Sequence, residues 1–155
     1  MQRGAMLPIA VHLPQDGVLN VYTEIGILPM SGSHYAVPKP LHWVGSAKRD
    51  LLKFPEAVVD DIGYALGLVQ QGGSPPSSKP WKGEGPGVFE LVEDFRGDTY
   101  RVAYTVRFEN AIYVLHCFQK KSPSGIRTAR TDARLIGERL RVARADYEVR
   151  YGQKT

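Results

Sequence analysis

The sequence predicts an α+β domain, with helices packed on one face of a twisted antiparallel sheet. Two helix patterns follow one another between residues 41 and 71, three strand patterns joined by short turns occupy 88 to 119, and a last helix pattern runs from 132 to 147. A chain of 155 residues has the size of one domain and can bury roughly two thirds of its unfolded surface around one core.

The first 40 residues carry nine prolines and glycines around one β-like run, Val18 to Leu28. Residues 1–38 therefore read as an N-terminal extension, weakly attached or disordered, because a chain end without a packed partner frays. Two readings stand for it: a loosely attached strand, or an upstream extension of the reading frame with Met6 or Met30 as an internal start. The domain proper is expected over 39–150. Its apolar run Leu41 to Val44 leads to Ser46, an N-cap candidate for a short helix that ends near Phe54-Pro55. Proline is welcome at a helix start, so a second helix follows from Glu56 to Gln71, with Val58, Ile62, Ala65, Leu66 and Val69 at helical spacing and Gly72-Gly73 as its stop. The two helices read as a hairpin with one apolar face.

A loop from Gly72 to Gly87 carries Lys79, Trp81 and Lys82. Three strands are expected next: Val88 to Asp94, Thr99 to Phe108 and Ala111 to Gln119, in an antiparallel meander. The second alternates Tyr100, Val102, Tyr104, Val106 and Phe108 against Arg101, Ala103, Thr105 and Arg107. The third is apolar on both sides, so it is expected at the sheet centre. Strict alternation puts His116 with Ile112, Val114 and Phe118, opposite Tyr113, Leu115 and Cys117. Ser122 to Thr131 reads as a polar loop, and Asp132 to Tyr147 as a helix with Leu135, Ile136, Leu140 and Ala143 on its apolar stripe.

Composition narrows the chemistry. One cysteine, Cys117, excludes an intramolecular disulfide and a cysteine-based metal site, and fits a reducing cytoplasm. Four scattered histidines make a metal cluster unexpected, and no cofactor is anticipated. No apolar stretch approaches the roughly 20 residues that a bilayer requires, and no export leader is evident, so a cytoplasmic protein without a membrane partner is expected. The net charge of +4 is unevenly placed: Arg3 and Lys39 balance Asp16 and Glu24 in the first 40 residues, whereas ten Lys or Arg face four Asp or Glu from Gln119 onward. The third strand ends in Gln119-Lys120-Lys121-Ser122. Fixed cationic charge at a strand end suits a phosphodiester, to which Lys offers point charge and Arg a fork of donors.

Specific residues carry a resemblance. Lys39-Pro40-Leu41, Trp43-Val44-Gly45-Ser46, Asp50-Leu51, Phe54-Pro55, Ile62-Gly63-Tyr64-Ala65-Leu66, Gly72-Gly73, Lys79-Pro80, Lys82-Gly83, Val92-Glu93, Gly97-Asp98-Thr99-Tyr100-Arg101, Tyr104-Thr105-Val106-Arg107, Tyr113-Val114-Leu115-His116 and Phe118-Gln119-Lys120-Lys121-Ser122 together resemble the RelE/ParE superfamily of bacterial toxins, in its phage-derived, HigB-type branch. The resemblance spans about residues 39–147 and does not reach the first 38. It implies a RelE-like fold and the toxin of a type II toxin–antitoxin pair, restrained by a cognate helix-turn-helix antitoxin. Toxins of the RelE type enter the ribosomal A site and cut messenger RNA without a metal, by helping a ribose 2′-hydroxyl attack the adjacent phosphate; the ribosome and mRNA would then be partners. ParE relatives poison DNA gyrase instead, so the fold does not choose the target. A prophage remnant that only binds its antitoxin is a third reading.

Attack by a 2′-hydroxyl needs a base, positive charge for the developing phosphorane and an acid for the leaving 5′-oxygen. RelE-type sites use Lys, Arg and Tyr or His, and the matching positions are Arg101, Lys120, Lys121 and His116 as catalytic candidates. Lys82, Arg127 and Arg130 are candidates for RNA backbone contact. Each has a plainer alternative. Arg101 suits a phosphate or an ion pair with Glu90 or Glu93, His116 suits acid/base work or a satisfied place in the core, and the lysines suit a solvated strand end or loop. A lysine base needs its pKa lowered, which crowding by Arg101 would do. Tyr104 reads as core. Arg134, Arg139, Arg141, Arg144 and Arg150 read as a charged helix face turned to solvent or to ribosomal RNA.

Overall fold

The computed structural model describes residues 18–19, 37–120 and 126–152, with side chains described for 37–120 and 129–152. Lys121, the side chain of Arg127 and most of the 1–38 extension lie outside the described residues. Six strands form one sheet: β1 (Val18–Leu19), β2 (Leu41–Trp43), β3 (Ser78–Pro80), β4 (Val88–Phe95), β5 (Asp98–Thr105) and β6 (Ile112–Lys120), in the spatial order β1-β2-β6-β5-β4-β3. Three helices complete the α+β architecture: α1 (Ala47–Leu51), α2 (Glu56–Gln70) and α3 (Ile126–Tyr151).

The local chemistry explains each boundary. Gly72 sits at φ +84° after α2 and its N–H bonds Val69 O, while Gly73 N–H bonds Leu68 O. These paired bonds close the last turn in the Schellman pattern, and the positive φ suits glycine. Phe95 pairs with Asp98 across a two-residue turn in which Arg96 and Gly97 both have positive φ. That turn shape matches the right-handed twist of the flanking strands and fixes the β4–β5 register. Ser46 does not cap α1 with its side chain; its hydroxyl donates instead to Asp50.

Four expectations are corrected. The sheet is mixed, because β2 runs parallel to β6, Leu41 opposite Ile112. The helices also cover both faces rather than one. Leu51, Val58, Ile62 and Leu66 from α1 and α2 pack with Leu91, Val102, Tyr104, Ile112, Val114 and Cys117. On the opposite face Ile136, Leu140 and Ala143 of α3 pack with Val88, Ala103, Tyr113 and Leu115. Both faces of β6 are thereby buried, which is why its sequence lacks a polar side. The expected loop of 122–131 is also partly helical: α3 begins at Ile126 and continues to Tyr151.

The fourth correction concerns β6. Ala103 opposes His116, but Tyr104 opposes Val114, so Leu115 is an extra residue forming a β-bulge. The bulge inverts the alternation beyond it. Ile112, Val114 and Cys117 face α1 and α2, whereas Tyr113, Leu115, His116 and Phe118 face α3. His116 therefore lies opposite the side that simple alternation assigns to it.

The C-terminal end of α3 is tied to the sheet by polar and aromatic contacts. Tyr113 donates to Asp146 at 2.7 Å, His42 Nε2 shares a 2.8 Å bond with Tyr151, and Phe108 stacks on Tyr147 at 4.7 Å. Among the described residues no helix is long and apolar enough to cross a membrane.

Candidate active site

Strand register decides which of the candidate residues meet. On the face that carries α3, one cross-strand row reads Lys79, Glu90, Ala103, His116. The adjacent row reads Val92, Arg101, Phe118, and the next Asp94, Thr99, Lys120. Arg101 is thus directly across from Phe118 and diagonal to both His116 and Lys120, roughly 7–8 Å away in a pleated sheet. Arg101, His116 and Lys120 share one face. Lys82 lies in the β3–β4 loop and Arg130 in the early turns of α3, both exposed, and no strand register ties them to that trio.

Arg101 reaches along its face to Glu90, donating from Nη1 to Oε2 at 2.9 Å and to Oε1 at 3.2 Å. Glu90 is buried, and a carboxylate so placed is stable only with a partner such as this guanidinium. One nitrogen makes both bonds, so the fork of Arg101 is only partly used. Its Nε is buried and makes no hydrogen bond. Lys120 is exposed and makes no ion pair among the described residues. The face thus combines one anchored arginine with one solvent-exposed cation at the strand end.

His116 is 7% exposed and engaged on three sides. Its Nε2 lies 2.8 Å from Asp132 Oδ1, its Nδ1 lies 3.1 Å from Arg139 Nη1, and its ring stacks on Phe118 with centroids 4.9 Å apart and planes 17° from parallel. Arg139 also donates to Leu115 O at 3.0 Å and, through Nη2, to Ser46 Oγ at 2.9 Å. The Ser46 hydroxyl in turn donates a hydrogen bond to Asp50 Oδ2 at 2.6 Å. Burial alone raises the Asp50 carboxyl, but the hydrogen bonds from Ser46 and Lys53 and the charge of Arg139 hold it below the usual carboxylate range. A continuous polar line, Asp132–His116–Arg139–Ser46–Asp50, therefore joins α3, β6 and α1 along one edge of the site.

Neither Arg139 nor Asp132 stood out in the sequence as a site residue. Arg139, which the sequence places with the charged arginine face of α3, is drawn inward with the apolar stripe. The usable signal was spacing: Asp132, Ile136, Arg139 and Ala143 recur at intervals of four, three and four, which places them on one helix face. Trp81, expected in a loop, meets Phe118 edge-on with its ring at 6.5 Å and so walls the same face. Its loop is pinned by Arg107, whose guanidinium donates to Glu84 O at 2.6 Å and to Pro86 O at 2.9 Å.

A cleft of about 310 Å³ opens on the other face, between the end of α2 and the strands, lined by Phe89, Tyr104, Val106 and Lys39 among others. It holds none of the candidate residues, and Tyr104, expected as core, is buried there with its hydroxyl bonded to Ser78 at 2.6 Å. Among the described residues no cluster of His, Cys, Asp and Glu is arranged to hold a metal ion.

Comparison with known protein families adds one finding. Residues 49–141, more than half of the chain, match a family model described as "Phage derived protein Gp49-like (DUF891)". No curated protein and no solved structure matches the chain.

Proposed function

Because the chain belongs to the phage-derived Gp49-like family, and because its site sets Arg101, His116 and Lys120 on one sheet face, we propose that it is the toxin of a type II toxin–antitoxin pair. In this reading it is of the HigB type on a RelE-like scaffold and cuts messenger RNA on the ribosome, restrained by a helix-turn-helix antitoxin. The single observation that carries the proposal is the shared face, since a cationic arginine, an imidazole and a strand-end lysine within diagonal reach can act on one phosphodiester.

The chemistry follows from what each group offers. The 2′-oxygen attacks the adjacent phosphorus, an O2′–P bond forms and the P–O5′ bond breaks; the 2′-hydroxyl loses a proton and the 5′-oxygen gains one. Arg101 is suited to the equatorial oxygens of the phosphorane through the part of its fork that the ion pair of Nη1 with Glu90 leaves unused. Lys120, with Lys121 beside it in sequence, adds charge where the strand ends and is the candidate for taking up the 2′-hydroxyl proton. His116 is suited to protonating the 5′-oxygen from Nε2 when that oxygen replaces Asp132. Lys82, Arg127 and Arg130 contribute backbone contacts that lengthen the grip on RNA.

Primer extension on translated messages after induction in a bacterial host tests the reading. New 5′ ends within coding regions are expected, and they disappear when Arg101, Lys120 and Lys121 are changed to Ala. Growth arrest without new ends removes the nuclease assignment, and accumulation of gyrase-cleaved DNA instead selects a gyrase poison.

A further inference from the structure

Resting on the proposed cleavage site, we infer that Arg139 is the positioning residue of His116: it holds the ring with its only proton on Nε2, directed along the site face at Asp132. The inference begins with a donor count. A guanidinium has five N–H groups and no acceptor, so the 3.1 Å contact between Arg139 Nη1 and His116 Nδ1 requires a lone pair on Nδ1. The proton of a neutral imidazole then resides on Nε2, which donates to Asp132 Oδ1 at 2.8 Å. The same nitrogen of Arg139 bonds Leu115 O at 3.0 Å. Leu115 is the bulged residue, and its bulge is what turns His116 toward α3. One guanidinium therefore secures both the backbone distortion that aims the ring and the tautomer that the ring adopts.

The surroundings are built for that guanidinium. Gly45 sits at φ +56°, and a Cβ there would stand 3.2 Å from Arg139 Nε; glycine leaves the space the arginine fills. Ser46 and Asp50 fix its other end from α1. Among the described residues, the charged groups bonded to His116 are Asp132 and Arg139 from α3, Arg101 lies diagonal to it on the neighbouring strand, and Phe118 stacks on its ring from its own strand. With Nδ1 capped, the imidazole has one functional nitrogen, and that nitrogen is a donor. His116 thus serves the leaving oxygen and not the attacking one, and the negative charge left on the ring when Nε2 gives up its proton is met at Nδ1 by the Arg139 guanidinium.

The first test needs no activity. Side-chain nitrogen NMR of ¹⁵N-histidine-labelled full-length protein at neutral pH is expected to show His116 as the Nε2–H tautomer, with an unprotonated, pyridine-like Nδ1; H116Q identifies its signal among the four histidines. An Nδ1–H tautomer or a doubly protonated ring in the wild type overturns the proposal whatever the protein does to RNA. In R139L the signature is expected to become a mixture of tautomers, and in R139K, which retains a donor but not the fork, to remain largely Nε2–H. If R139L does not fold, the wild-type spectrum and R139K still decide the matter. In the second arm, the cleavage rate on translated message is expected to fall about 100-fold in R139L, the scale of a lost general acid, with KM unchanged and partial recovery in R139K. The expected tautomer without any RNA cleavage by the wild type would sink the nuclease reading and leave the positioning role; cleavage unaffected by R139L would sink the role in catalysis.

Discussion

Truncating Ile136 to Ala tests whether α3 is seated on the second face of the sheet, the arrangement that supplies His116 with Asp132 and Arg139. Ile136 is wholly buried, in a cluster with Tyr113, Leu115, Leu140 and Ala143. The substitution removes three carbon atoms, about 2.4 kcal/mol at roughly 0.8 kcal/mol per buried methylene. The cavity left in a wall made partly of rigid strand adds to that, for a total of about 3–4 kcal/mol. At this chain length each kcal/mol lowers Tm by roughly 4 °C, so a loss near 12–16 °C is expected. Urea unfolding followed by circular dichroism should show a lower midpoint at an unchanged slope, since the slope reports the surface exposed and the fold is kept. Val149, 80% exposed on the same helix, is the internal control, and Val149→Ala should cost less than about 0.5 kcal/mol. An Ile136→Ala loss no larger than that of Val149→Ala would show that α3 does not lie where it is described, and the site's geometry would fall with it.

Other perturbations have equally definite outcomes. Burial, reinforced by the charge of Arg150 and opposed by Asp146, holds His42 below the usual imidazole range. The fold therefore prefers the neutral ring: stability from this source is complete above the unfolded value of about 6.5 and declines as pH falls below it, by at most about 1.4 kcal/mol per pH unit. Urea midpoints at pH 7 and 5.5 should converge in His42→Gln relative to the wild type, if that variant folds. Burial, with the charge of Asp50, pushes the Cys117 thiol well up against the opposing effect of Arg139, so Ellman's reagent should leave the native protein unmodified at pH 8 and titrate one thiol in urea. Gly45→Ala forces a side chain into left-handed backbone beside Arg139, and a loss of about 1–2 kcal/mol is expected from the backbone alone, together with a disturbed His116 signal. Arg101→Ala should weaken binding of a non-cleavable single-stranded RNA by roughly 10- to 100-fold, the scale of one charged hydrogen-bonding partner, and reduce the salt slope by about 0.7; an unchanged slope would remove Arg101 from the phosphate.

Much of this architecture is legible in the residues themselves, for physical reasons that differ by element. The α2 helix shows because Val58, Ile62, Ala65, Leu66 and Val69 repeat at the helical period and Gly72-Gly73 ends it. Strands β4 to β6 show because their turns are short, so that pairing is local. Strands β2 and β3 escape notice because each has three residues, too few for a period, and β2 pairs with distant partners, among them Ile112 to Val114, some 70 positions away. The bulge at Leu115 is silent in a strand that is apolar on both sides, since no polar residue betrays the change of face. That silence conceals the location of His116. The first turns of α3 hide for the opposite reason: Ala129, Arg130 and Thr131 are exposed and carry no apolar stripe. Of the candidate site, Arg101 and Lys120 could be named from polar-face and strand-end position. Arg139 and Asp132 could not be named as partners of His116, because their roles depend on a bulge and on the face that α3 covers.

The chemistry at the ends of the RNA offers the most direct test of the central claim that side chains of this sheet face drive a 2′-hydroxyl onto its neighbouring phosphate. Cleaved message from a translating system containing the purified protein should carry 2′,3′-cyclic phosphate termini, and a single 2′-deoxy substitution at the cleaved position should abolish cutting there. Products ending in a free 3′-hydroxyl, or undiminished cleavage at the deoxy position, would contradict the account.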